Sequence, residues 1–148
     1  MFAETASRAD AACKPERENK KVDEIAKKHG LSALVLPIKS VGVKGAARSY
    51  EHPAAIVGKA DWKTLEAIST RLTNEVKGIN RAVWCLAPEK IEKIELVPAT
   101  ITRGRMDLLR EADYAVMDGL AKAGLMETVW QFPTVLAPVS INDGGESI

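Results

Sequence analysis

The 148-residue chain carries little of the chemistry that usually announces a function. It has two cysteines, Cys13 and Cys85, in no metal-type spacing, which leaves no basis for a disulfide scaffold or a zinc site. It has two histidines, His29 and His52, and neither lies near an acid or nucleophile pattern. Aromatic residues make up only 5%, so Trp62, Trp84 and Trp130 stand out as landmarks. Charge of one sign is also lacking: 21 Lys and Arg against 20 Asp and Glu leave a formal net charge of +1. That near-balance removes the long-range field of a general nucleic-acid binder, but not a local anion pocket. The longest apolar run, around Leu31 to Pro37, is far short of the roughly 20 residues that span a bilayer. Met1-Phe2-Ala3-Glu4-Thr5 lacks the basic start and apolar stretch of a secretory signal. These absences describe a soluble, cytoplasmic chain of one ordinary domain or two very small ones.

What is present reads as alternating helices and strands. Residues 1–18 are polar, without periodicity, and are expected to form a flexible arm, although Pro15 can open a helix. A first helix is predicted over 19–29, with Val22, Ile25 and Ala26 on one face and Gly30 as its stop. A strand over 34–41 follows, with Leu34, Leu36 and Ile38 alternating on one face and Pro37 marking an edge or bulge. After a glycine-bracketed turn comes a second strand over 53–57. Asp61 then caps a long helix whose stripe is Trp62, Leu65, Ile68, Leu72 and Val76. A strand over 79–86 and a partner strand over 91–97 are predicted next.

Thr102 caps a further helix, 103–123, with Met106, Leu109, Ala112, Val116 and Leu120 in a stripe and Gly124 at its end. The last strand is placed at 134–141. Asn142-Asp143-Gly144-Gly145 is strong turn chemistry, and the chain stops just into a return strand. The order is that of an α+β two-layer sandwich, helices on an antiparallel sheet. A first unit over 19–101 precedes an incomplete second unit over 102–148, as in a fragment of something longer. Both units share a helix end, a Gly-Leu pair and a strand with a central proline, a faint internal repeat.

No catalytic constellation and no Gly-rich phosphate loop of common spacing is present. The segment with more chemistry than folding requires is Lys39 to Tyr50, which holds two lysines, an arginine and two glycines and no acid. Glycines let backbone N–H groups approach an anion, and a guanidinium offers a fork to phosphate. The same residues also make an ordinary solvated hairpin. Gln131, between Trp130 and Phe132, has an amide that can pair with a purine edge or serve the backbone of a loop.

The run Leu36-Pro37-Ile38-Lys39-Ser40-Val41-Gly42-Val43-Lys44-Gly45-Ala46-Ala47-Arg48-Ser49-Tyr50 resembles the L-P-[IV]-[KR]-[ST]-V-G-V-x-G-x-x-R-x-Y signature of glutamine-hydrolysing GMP synthases, in their C-terminal dimerisation domain. Ala60-Asp61-Trp62 and the stretch from Asn74 to Trp84 are similar to that domain's A-D-W and N-E-V-x-G-[IV]-[NS]-R-V-V-Y elements. Leu109 to Asp113 and Val129 to Val139 resemble its L-R-x-A-D and [VI]-S-Q-x-x-[VT]-x-L-P-V elements. The resemblance covers about Lys20 to Ile148, and its order is similar to the long form of the family, with two copies of this domain in tandem.

The departures matter as much. Ala46 replaces the usual acid after the second glycine, and the family's closing K-P-P-x-T-x-E-W-E, its S-G-G-V-D-S ATP-pyrophosphatase loop and its Cys-His-Glu glutaminase are not in this sequence. The family adenylates XMP with ATP and magnesium and displaces AMP with ammonia from glutamine. The resemblance therefore implies a dimerising, XMP-holding module, inactive alone, with no cofactor and no catalytic residue of its own. Its ATP-pyrophosphatase and glutaminase parts would lie in other domains or subunits. By matching position, Arg48 resembles the arginine on the XMP phosphate and Gln131 a glutamine at the nucleotide, while Lys39, Gly42 and Gly45 shape or support the turn. A homodimer is implied. The alternatives are a pure assembly module that has lost the nucleotide and, more remotely, a small RNA-binding domain, which the charge balance opposes.

Overall fold

The computed structural model describes residues 15–44, 47–142, 144 and 146–147, and gives the order α1 (Pro15–Lys27), β1 (Ser32–Val35), β2 (Ser40–Lys44), β3 (Ala47–Val57), α2 (Trp62–Glu75), β4 (Ile79–Cys85), β5 (Ile94–Leu96), α3 (Arg103–Lys122), β6 (Ala137–Ile141) and β7 (Glu146–Ser147). The class is α+β, with strands in two sheets, β1–β4 and β5–β7. Helix α1 begins at Pro15, a residue suited to a first turn because the N–H it lacks would be unpaired there. Residues 15–18 of the expected arm are therefore helical, and 1–14 lie outside the described residues.

Strand β3 is the hub of the first sheet. It pairs antiparallel with β1 and β2, and parallel with β4 in the register His52↔Ile79 to Val57↔Cys85. The parallel pair departs from an all-antiparallel sheet and follows from α2, because parallel neighbours need a crossover of about a dozen residues or more. The expected strand over 34–41 is broken into β1 and β2, with Pro37 between them. The buried face is also the other one: Ala33 and Val35 are buried, while Leu34, Leu36 and Ile38 are half-buried. The reason is α1, which lies against β1. Asn19 Oδ1 accepts from Val35 N–H at 2.6 Å, and Asp23 Oδ1 accepts from Ala33 N–H at 3.3 Å. Two edge donors are thus covered by helix side chains instead of being left open to another strand.

The main core is Val22, Ile25 and Ala26 of α1, Leu65, Ile68 and Leu72 of α2, and the inner residues of β1, β3 and β4. Trp84 does not face away from the helices; its ring meets Trp62 edge-on at 5.6 Å between centroids, and its Nε1–H donates to Gly58 O at 2.9 Å. Trp62 stays 77% exposed, so the start of the predicted α2 stripe is an aromatic lid over Trp84 and not a core position.

In the second sheet β6 pairs antiparallel with β5 and β7. The segment expected to partner β4 thus joins β6 instead. Asn142, at φ 52, holds this turn by accepting from Glu92 and Lys93 N–H and donating to Lys90 O at 2.7 Å. The two Gly-Leu helix ends of the faint repeat share one cap. Leu31 N–H reaches Ala26 O and Leu125 N–H reaches Leu120 O, with Gly30 and Gly124 at φ 73 and 68. The stripe of α3, by contrast, buries no residue.

Candidate functional site

The hairpin of β2 and β3 places the residues of the basic segment. Its register sets Ser40 opposite Glu51, Val41 opposite Tyr50, Gly42 opposite Ser49 and Val43 opposite Arg48. Alternation along β3 then puts Arg48 and Tyr50 on one face and Ser49 on the other. The Ser49 face lies on Asn80 of β4. Ser40 Oγ donates to Asn80 Oδ1 at 2.6 Å, and Asn80 Nδ2 donates to Ser40 O at 2.7 Å. The same amide reaches Ser49 O and Oγ, each at 3.4 Å. Arg81 adds a bond from Nη2 to Val41 O at 3.1 Å. Gly42 is buried against this clamp; a Cβ there would sit 2.8 Å from Asn80 Cβ. A side chain at position 42 would therefore push the hairpin off β4.

The outer face carries Val41, Arg48 and Tyr50, all exposed. Among the described residues no carboxylate forms an ion pair with Arg48, so its fork is available to an outside anion. A guanidinium stays charged at any ordinary pH and matches two phosphate oxygens at once. Lys39 is exposed in the loop that leads into β2. Gly45 lies outside the described residues. Sequence reasoning did not single out Asn80 or Arg81; the signal was their polarity in a strand otherwise read as apolar.

Gln131 lies elsewhere in the chain, in the irregular segment between α3 and β6, exposed between Trp130 at 92% and Phe132 at 56% exposure. Among the described residues no hydrogen bond or ring contact joins it to Arg48. Close to Gln131 in sequence is an open groove of about 380 Å³ lined by Met106, Leu109, Arg110, Asp113, Pro133 and Thr134.

The remaining reactive side chains have structural settings. His52 Nδ1 lies 3.0 Å from Leu36 O; since a carbonyl only accepts, that nitrogen carries the proton. His29 is exposed just past α1. Burial pushes the Cys85 thiol up, partly offset by the Ala87 backbone, so it is a poor nucleophile near neutrality. Cys13 lies outside the described residues. Among the described residues no three His, Cys, Asp or Glu side chains are grouped to share a metal ion, and no helix is long and apolar enough to cross a membrane.

The family model described as GMP synthase C terminal domain matches residues 17–96, from α1 through β5. The chain belongs to that family. The probable glutamine-hydrolysing GMP synthase of Leptospira interrogans is 38% identical over 122 residues, covering 80% of this chain and 20% of its own length. That of Caenorhabditis elegans is 30% identical over 131 residues, 76% of this chain and 17% of the relative. The GMP synthase of Nitratidesulfovibrio vulgaris is 41% identical over 75 residues, 43% of this chain and 15% of the relative. The chain thus spans about a fifth or less of the GMP synthases it matches. Within the GMP synthase C-terminal domain match lie the hairpin, Arg48 and the Asn80 clamp, whereas Gln131 falls beyond it.

Proposed function

We propose that this GMP synthase C-terminal domain chain is the part of a GMP synthase that associates with itself and presents Arg48 to the phosphate of XMP, in the cytoplasm, without making GMP alone. The observation that carries this is the hairpin: its inner face is clamped by Asn80, and its outer face leaves the Arg48 guanidinium exposed and unneutralised. A hairpin needed only as a turn would gain little from so firm an anchor beneath one cation. Gln131 would approach the base from the segment after α3. ATP and magnesium would be bound by the pyrophosphatase part of a whole GMP synthase.

Calorimetric titration of XMP into the full 148-residue chain tests the proposal. XMP heat should be present in the wild type. Arg48→Ala should weaken binding roughly tenfold or more, the loss expected for a charge-assisted bond. Silence in the wild type, or heat unchanged in Arg48→Ala, overturns the phosphate role and leaves an assembly module. GMP formed by the chain alone from XMP, ATP, magnesium and ammonia would overturn the claim that it is inactive by itself.

A further inference from the structure

Between α2 and β4 lies an open pocket of about 270 Å³, lined by neither Arg48 nor Gln131. Trp62, Glu66 and Ser69 line it from α2, and they share one helix face because they follow at four- and three-residue steps. Leu65, Ala82 and Trp84 add apolar lining. The planes of the two indoles meet at 76°, which leaves a corner with two π faces. Trp84 is held in this pose by its bond to Gly58 O, and Trp62 follows directly on the Asp61 cap that starts α2. Folding alone gains little from an indole that is 77% exposed at a helix start. Glu66 is exposed and forms no ion pair among the described residues, and no lysine or arginine lines the pocket.

We propose that this pocket binds a small organic cation with an alkylated ammonium head, independently of XMP. An indole face carries negative charge density and is the best of the aromatic partners for a cation. Two such faces at a corner surround a compact head better than one, and the unpaired Glu66 carboxylate adds attraction of the same sign. An anion would meet that carboxylate with no basic residue to answer it. The Trp84 N–H is already spent on Gly58 O, so it offers an anion no donor either. The scarcity of acceptors favours an alkylated head over a primary ammonium. A primary ammonium has three N–H donors to satisfy, and only Glu66 and Ser69 among the six lining residues named carry side-chain acceptors. A quaternary nitrogen has none. The volume falls below the roughly 300–1,000 Å³ of pockets for drug-sized ligands, so it suits a headgroup of a few atoms and not a nucleotide.

Tryptophan fluorescence of the full chain tests this, in a Trp130→Phe background so that only Trp62 and Trp84 report. Choline is the probe, titrated at constant ionic strength against sodium chloride. A saturable change is expected at about millimolar choline, as suits a ligand of few atoms. Ethanolamine, with a primary ammonium, and the neutral carbon isostere dimethylbutanol should each bind several-fold more weakly. Trp62→Ala and Glu66→Lys should each weaken choline binding roughly tenfold or more, while Trp62→Phe should keep part of it. Both side chains are exposed, so circular dichroism should stay that of the parent chain. No response to choline overturns the proposal and leaves the corner to be covered by another protein surface. Equal binding of dimethylbutanol overturns it too, because the pocket would then be reading shape and not charge. So does a choline response that survives both Trp62→Ala and Glu66→Lys. XMP heat reports separately: it should be unchanged in Trp62→Ala, and its absence from the wild type bears only on the phosphate role of Arg48.

Discussion

Gly42 and Asn80 are in contact so close that a single added methyl at position 42 would meet Asn80 Cβ at 2.8 Å. The two residues come from strands about 40 positions apart in sequence and together seat the β2–β3 hairpin on β4. Gly42→Ala should destabilise the chain by about 1–3 kcal/mol, the usual cost of overpacking. Asn80→Gly removes the colliding Cβ, so the double variant should lose less than the two single losses added together. Asn80→Ala keeps that Cβ and should give no relief. Urea unfolding of the four variants in a double-mutant cycle checks this, and strict additivity of Gly42→Ala with Asn80→Gly would contradict the contact.

Two other glycines separate conformation from space. Gly58 has φ 122, and a Cβ there would fall 2.6 Å from Leu31 Cδ2. Gly30 has φ 73, and a methyl added there would meet nothing within 4 Å. Gly30→Ala should cost about 1–2 kcal/mol from the left-handed backbone alone. Gly58→Ala should cost more, and Leu31→Ala should recover only the steric part. Thermal unfolding of the set should show that ranking.

The helices should respond unequally to truncation. Ile68 and Leu72 of α2 have no exposed surface. Alanine at either should cost about 2–5 kcal/mol, from lost transfer energy and the cavity left behind. Leu108 of α3 is 43% exposed, and Leu108→Ala should change stability by about 0.5 kcal/mol or less. Denaturant midpoints with unchanged slopes would establish both. A large loss at Leu108 would mean that α3 packs in solution in a way the fold does not show.

Asp61 caps α2 through Thr64, whose backbone N–H donates to Oδ1 at 2.7 Å. That bond, and then the Thr64 hydroxyl, hold the Asp61 carboxyl below its ordinary value. The charged form is therefore the one the folded state favours. Its stabilisation should be complete above the ordinary aspartate range and fade as pH falls through the lowered folded value. Asp61→Asn keeps a good cap and should remove this part of the acid dependence, whereas Asp61→Ala should lower the melting temperature at neutral pH. Melting curves from neutral to acid pH compare the three; an identical acid profile in Asp61→Asn would refute the assignment.

How much of this was legible in the sequence depended on how local the cause was. Asp61, Thr102, Gly30 and Gly124 were readable as caps because a cap is a bond across three to five residues. The stripe of Leu65, Ile68 and Leu72 was readable because one helix repeats it. The basic, acid-free run that ends at Arg48 and Tyr50 could also be read directly, and so could its likeness to GMP synthases.

What only the tertiary structure decided were relations between distant segments. Ala33 and Val35, not Leu34 and Leu36, face the core because α1 lies on that side of β1. β4 runs parallel to β3 because α2 carries the chain across, and β5 pairs with β6 instead of β4. Asn80 became the anchor of the hairpin only when β4 came beneath β2, while Gln131 lies between α3 and β6, outside both sheets. The α3 stripe showed the converse: its periodicity was plain, yet amphipathicity records only that a face is apolar. Which surface covers that face is set by packing between elements, and local pattern carries no information about it.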